Sequence, residues 1–295
     1  MSQVSSANVV ITPAYAQRLL DNTAEINKNN LSARRHRNIC QRTVSLYKRD
    51  MINGDWALNG EVISLDSAGA VMNGMHRLHA CVAADVCFTT FLAKNVDCAA
   101  IDRFDTGLSR TFSDVLRGKG EKHSKLLAAT VSYICRYESG TLQSPHRISN
   151  SELQRVLERH PGVRTHVAYV SGFYRRLRLS AFAAVSYIAS LHNTTIASEF
   201  MKKVDTGSGL RRGDIHVVAM RDFLRPGSFR GRAAQYRRFV LVANAMNAEM
   251  LPEPPRSFGP KQRERFSGIA GVPYGQIIQT NLENYGPSPL TAFQP

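Results

Sequence analysis

The feature that most constrains this chain is a change of hydrophobic period at Asn73-Gly74. Before it, Glu61-Val62-Ile63-Ser64-Leu65 alternates and stops at Asp66, and Gly69-Ala70-Val71-Met72 follows after a short turn. Alternation interrupted by turn residues predicts a β-hairpin. After it, apolar residues from His76 to Ala84 recur at helical spacing, and Phe88 to Ala93 reads as a buried strand. Strand, tight turn, helix and strand in so few residues predict a small α/β layer.

The residues ahead of the hairpin read as helices. Thr12-Pro13 supplies an N-cap and a first-turn proline, with Tyr15, Leu19 and Leu20 on a short apolar face. Asn22 to Asn30 is polar and reads as a loop. A second helix is expected from a Ser32 cap to about Asn53, with Ile39, Val44, Tyr47 and Met51 at helical spacing and Gly54 as the C-terminal glycine. Arg34-Arg35-His36-Arg37 would then lie in its first turn. That is the wrong end of the helix dipole for cations, so either an anion offsets them or they form a solvated face.

Beyond Asp97 the periodicity is mostly helical, over about 97–103, 109–117, 122–138, 150–159, 163–177, 180–191, 195–204, 213–224 and 231–248. From Leu251 proline and glycine recur too often for a regular element. The expected fold is therefore α+β: an α/β domain over 8–100, a basic helical domain over 101–250, and an extended or disordered tail over 251–295.

Charge is unevenly distributed along that plan. The chain has 295 residues and a net charge of +15; residues 141–295 hold 21 Lys/Arg against 10 Asp/Glu. A basic block of that size implies a polyanionic partner, most often nucleic acid and here expected to be DNA, or else an inert basic surface. The candidate contacts are Arg175, Arg176, Arg178, Arg211, Arg212, Arg237 and Arg238. They are interleaved with Phe173, Tyr174, Phe229 and Tyr236, and arginine forks with aromatics suit phosphates and bases. No helix-turn-helix pattern stands out. The five cysteines are scattered, without a C-x-x-C pair, which fits a reducing cytoplasm and neither a disulfide framework nor a zinc site. No apolar run approaches the roughly 18 residues of a membrane span. The polar start, Met1 to Asn8, does not read as a secretion signal.

The chemistry concentrates in Gly74-Met75-His76-Arg77-Leu78-His79-Ala80. A helix opening directly after a strand and turn gathers unpaired backbone N–H groups and the positive helix end at one point. Gly74 permits close approach of a ligand, His76 and Arg77 add a donor and a fixed cation, and Ala80 is small enough for close helix–sheet packing. The residues read as a phosphate cradle; the alternative is an ordinary tight turn with a charged helix start. His76 and His79 have no third ligand nearby, so no metal is expected there.

This strand–turn–helix, with its G-x-H-R-x-x-A pattern, resembles the phosphate-binding loop of the ParB/sulfiredoxin superfamily. Met51-Ile52-Asn53-Gly54-Asp55-Trp56 and Val62-Ile63-Ser64-Leu65-Asp66 resemble the stretch leading into that loop. The resemblance covers about residues 8–100, and the overall pattern is similar to ParB-like proteins of bacteriophages and bacterial genomes. It implies a nucleoside triphosphate, ATP or CTP, with Mg2+, held at Gly74, His76 and Arg77. It implies a cytoplasmic protein of a bacterium or phage-infected cell, and it admits a homodimer. ParB partition proteins carry two arginines where this chain has His76-Arg77, which is closer to sulfiredoxins and to kinases of free serine. Sulfiredoxins place a catalytic cysteine where this chain has Met75, which has no thiolate to offer, so sulfinic acid reduction is not expected.

Asp66 and Asp102 are the candidate carboxylates for magnesium or general-base work; Asp102 sits in Asp102-Arg103-Phe104-Asp105-Thr106-Gly107, which also reads as a plain turn. Two function classes follow. One is a nucleotide-switched DNA-binding module of ParB type. The other is an ATP-using phosphotransferase or nuclease.

Overall fold

The computed structural model describes residues 3–29, 38–97, 110–144, 146–173, 179–223, 232–250, 266, 268–269 and 271–278. The chain is a mixed α+β protein. It divides into two units, Met1–Ser109 with His146–Ser151, and Arg110–Pro145 with Glu152–Pro295.

The first unit is built on β1 (Ser5–Ile11), β2 (Val62–Leu65), β3 (Val71–Asn73) and β4 (Phe88–Lys94), in sheet order β1-β4-β2-β3. β1 runs antiparallel to β4, from Ser5 opposite Lys94 to Ile11 opposite Phe88. β2 runs parallel to β4, with Ile63 opposite Leu92. β2 and β3 form the expected hairpin, with a register shift between Ser64 and Leu65. Three helices accompany the sheet: α1 (Pro13–Asn29), α2 (Gln41–Ile52) and α3 (Met75–Ala84). Ile11, Ile63, Leu65, Val71, Phe88 and Leu92 from the strands bury against Leu19, Leu20, Val44, Met51 and Leu78 from the helices. Trp56 meets the edges of Tyr47 and Phe88, each at 5.4 Å between ring centroids.

Three features differ from the sequence reading. β1 was not expected, because Ser5-Ser6-Ala7-Asn8 carries no apolar alternation; its order comes from pairing with β4 along an exposed edge. α1 continues through the polar residues that read as a loop. Thr23 is buried there: its hydroxyl donates to the Leu19 carbonyl at 2.6 Å and accepts from the Val71 N–H at 2.9 Å. Asn22 donates to the Gly69 carbonyl at 3.1 Å. These bonds to the hairpin region override weak helix propensity. α2 begins at Gln41, not after Ser32. Residues 38–40 are not helical, so the Arg34–Arg37 cluster, which lies outside the described residues, is not in its first turn.

Other local signals act as expected. The Tyr15 N–H bonds the Thr12 hydroxyl at 3.1 Å. α2 ends in a Schellman arrangement: Asp55 N–H to Asp50 O at 2.8 Å and Gly54 N–H to Met51 O at 3.2 Å, with Gly54 at φ +72°.

The second unit is helical: α4 (Phe112–Gly118), α5 (Ser124–Glu138), α6 (Asn150–Arg159), α7 (Val163–Ser171), α8 (Leu179–Ser190), α9 (Thr194–Thr206), α10 (Ile215–Phe223) and α11 (Arg232–Met250). The described helices track most of the predicted windows, but α7 ends at Ser171 where a helix over 163–177 was expected, and the window at 98–103 lies outside the described residues. Thr111 and Asp114 close a capping box on α4. α8 is apolar all round, with Ala181 through Ala189 buried, and packs against α5, α7, α9 and α11.

Within the tail, where no regular element was expected, β5 (Gly268–Ile269) and β6 (Val272–Pro273) pair antiparallel. Tyr137 anchors them: its hydroxyl donates to Val272 O at 2.6 Å and accepts from Ile269 N–H at 2.8 Å. The signal is tertiary, an aromatic cluster of Tyr137, Phe239, Phe266 and Tyr274, and no local pattern carries it.

Candidate phosphate-binding turn

β3 delivers the chain to Gly74, which stands at φ +106°, ψ 5° as the N-cap of α3. A Cβ there would lie 2.8 Å from Ile63 Cγ1, so both the backbone conformation and the space require glycine. Glycine offers no capping side chain. α2 starts nearby: the Cys40 N–H donates to His76 Nε2 at 3.0 Å, so His76 in the first turn of α3 touches the N-cap of α2. An imidazole nitrogen that accepts this bond is unprotonated at Nε2. Two helix N-termini are thereby pinned side by side, each without a side-chain capping hydrogen bond. The amide groups and the positive dipole end of a helix N-terminus favour an anion.

Cys40 was absent from the sequence reading of this site. Its thiol is exposed and held below its ordinary pKa by the Thr43 hydroxyl and amide, with a smaller pull from Arg147. Although its sulfur makes no formal capping bond, it lies in the positive field of α2. Cys81 is the opposite case: burial pushes its thiol up to about 11. No sequence spacing could reveal the Cys40–His76 link, since 36 residues separate them. His79 is half-buried and burial lowers its pKa.

Arg77 takes a different position from the one its sequence suggests. It is 7% exposed, and Nη2 donates to the Val62 carbonyl at 2.9 Å. In this arrangement the guanidinium fastens the start of α3 to β2. Asp66 is 2% exposed and closes the hairpin turn: Oδ1 accepts from Ala70 N–H at 2.8 Å, and its backbone bonds Ala70 and Gly69. Asp102 lies outside the described residues, as do Arg175, Arg176 and Arg178.

In the second unit Arg211 and Arg212 are exposed between α9 and α10, and Arg237 is exposed on α11, while Arg238 is 9% exposed. Among the described residues, two buried charge networks escaped sequence reasoning. Glu138 accepts from Arg159 Nη2 at 2.6 Å and lies 2.9 Å from His160 Nε2, whose other nitrogen is 3.1 Å from the Tyr187 hydroxyl. Burial pushes the Glu138 carboxyl up, but the hydrogen bonds and charges of His160 and Arg159 together outweigh it and the net shift is downward. Asp214, His216 and Glu249 form the second cluster, with donor atoms close enough for a metal ion. Lys203 already bridges its carboxylates, at 2.6 Å from Glu249 and 3.4 Å from Asp214, and His216 Nε2 lies 2.7 Å from Glu249. Burial alone would disfavour the charged forms of Lys203 and Glu249; their mutual contacts prevail, so the lysine is raised and the glutamate lowered. The Asp214-x-His216 spacing is visible in the sequence; Glu249 and Lys203 are too distant for a motif.

Comparison of the chain with protein-family models, with curated proteins and with solved structures returns no match.

Proposed function

We propose that the first unit binds the phosphates of a nucleoside triphosphate at Gly74-Met75-His76-Arg77, and that the basic second unit contacts a nucleic-acid backbone, in the manner of a ParB-like DNA-binding module. The observation that carries the reading is the pairing of the α2 and α3 N-termini through Cys40 and His76 at 3.0 Å. Backbone amides and His76 are the direct contacts in this reading. Arg77, bonded to Val62, sets the shape of the turn. Mg2+ would accompany the triphosphate. The binding reading is preferred to an ATP-using phosphotransferase or nuclease because the turn offers backbone amides and an imidazole, while Asp66 is engaged in closing the hairpin.

Calorimetry with ATP, CTP and GTP in the presence of magnesium tests this, with Cys40 alkylation as the local readout. One nucleotide is expected to bind and to slow alkylation of Cys40. His76→Ala should weaken binding roughly tenfold, the loss of about 1.5 kcal/mol. Arg77→Ala should lower affinity and thermal stability together, because it frees the turn from β2. Absence of binding by all three nucleotides overturns the reading; release of phosphate by the unmodified chain shifts it to the enzyme.

A further inference from the structure

α5 shows two faces of different character. Leu127, Val131 and Ile134 are buried in the core, while Ala129, Ser132, Tyr133 and Arg136 recur at i, i+3, i+4 and i+7 on another stripe. That second stripe walls a pocket of about 160 Å³. Ser180, in the first turn of α8, closes one side, and Gln235 and Arg238, one turn apart on α11, close another. Ser144 completes the polar lining.

The electrostatics of this lining are one-sided. Among the described residues it carries two guanidiniums, three hydroxyls from serine, one from tyrosine, one carboxamide and no carboxylate. Arg136 is fixed by its backbone contacts, donating from Nη1 to Ser144 O at 3.1 Å and Thr141 O at 3.5 Å. Arg238 is nine-tenths buried, so its charge acts at reduced dielectric. A planar fork held in place at Arg136, with the buried Arg238 guanidinium and serine hydroxyls beside it, matches the oxygens of a tetrahedral anion. The volume is close to the roughly 150 Å³ that holds a benzene-sized guest and below the roughly 300 Å³ at which drug-sized sites begin. A single phosphate group fits; a whole nucleotide does not.

We infer that the pocket walled by Arg136 and Arg238 is a binding site for one phosphate group, either free phosphate or the terminal phosphomonoester of a nucleic-acid strand. It is separate from the turn at Gly74 and does not depend on the reading of that turn. The test is a titration of the full chain with inorganic phosphate, followed through the arginine Nε–H signals in nitrogen-15 spectra. Two signals should shift saturably, and Arg136→Lys and Arg238→Lys should each remove one of them and weaken phosphate binding roughly tenfold or more. Ser132→Ala, which leaves both charges in place, should weaken it severalfold with an unchanged far-ultraviolet circular dichroism spectrum. His76→Ala should leave the response intact, which separates this site from the one at Gly74.

A matched pair of oligonucleotides, 5′-phosphorylated and 5′-hydroxyl, distinguishes the sources. Displacement of phosphate by the phosphorylated strand alone assigns the site to strand termini; displacement by neither assigns it to the free ion. Signals that stay fixed to tens of millimolar phosphate, or that move equally with sodium chloride at the same ionic strength, overturn the inference.

Discussion

A buried histidine on α7 illustrates how one side chain sets a pH response. His166 lies edge-on to Tyr187 at 5.3 Å, and burial pushes its pKa down to about 4, against a smaller upward pull from the Gly162 carbonyl. In the unfolded chain it titrates near 6.5. Between those values the unfolded state holds more protons than the folded one, so stability rises with pH across the interval and is lost as pH falls from about 6.5 towards 4. The loss amounts to roughly 3 kcal/mol when the interval is fully crossed. His166→Phe keeps the ring and removes the titration. Denaturation followed by helical circular dichroism should therefore show a shallower pH dependence for the variant between pH 6.5 and 4. An unchanged slope would assign the acid sensitivity elsewhere. Glu138 acts in the same sense at lower pH: its depressed carboxyl stabilises the folded state above the ordinary carboxylate range, and that contribution disappears as the folded form protonates.

At the level of elements, the legible features were those whose cause lies within a turn or two of chain. Thr12-Pro13, Gly54, the β2–β3 hairpin and the α3 start each declare themselves in a few residues, and each is where the sequence placed it. The features missed depend on distant partners. Thr23 and Asn22 look like loop residues until Val71 and Gly69 come to bond them, and nothing near Cys40 in the chain marks it until His76 bonds its backbone N–H. For the same reason the sequence named Gly74, His76 and Arg77 but could not tell that Arg77 turns towards β2. Thr23→Val is the direct test of such a long-range pin. The substitution preserves shape but leaves the Val71 N–H without its acceptor in the core, at a cost of about 1–3 kcal/mol. Trp56, the sole tryptophan, lies in the first unit and reports its unfolding; its transition should move to lower denaturant, and an unmoved midpoint would show that α1 is held by its apolar face alone.

For the whole molecule, the excess positive charge decides what the chain attracts before any specific contact forms. Exposed Arg211, Arg212 and Arg237 are the described members of the arginine set predicted to meet nucleic acid, whereas Arg238 belongs to the pocket lining. If the three exposed residues contact duplex phosphates, replacing them together with glutamine should flatten the dependence of log affinity on log salt by about two to three units. Gel-shift titrations at several salt concentrations measure this directly. A variant that retains the parent slope would make these arginines a solvated surface only.

The pairing of β1 with β4 also governs the order in which the first unit comes into being. Ser5 finds Lys94, and Ile11 finds Phe88, only after most of that unit has been made. On the ribosome, where the chain emerges at about 5–20 residues per second, the opening strand therefore waits several seconds for its neighbour. Arg49 waits longer, since the carbonyl it bonds at 2.6 Å belongs to Arg147. The hairpin and α3 draw on nearby chain, whereas the N-terminal strand, the first strand of this sheet to be synthesised, cannot pair until β4, the last of the four, has been made.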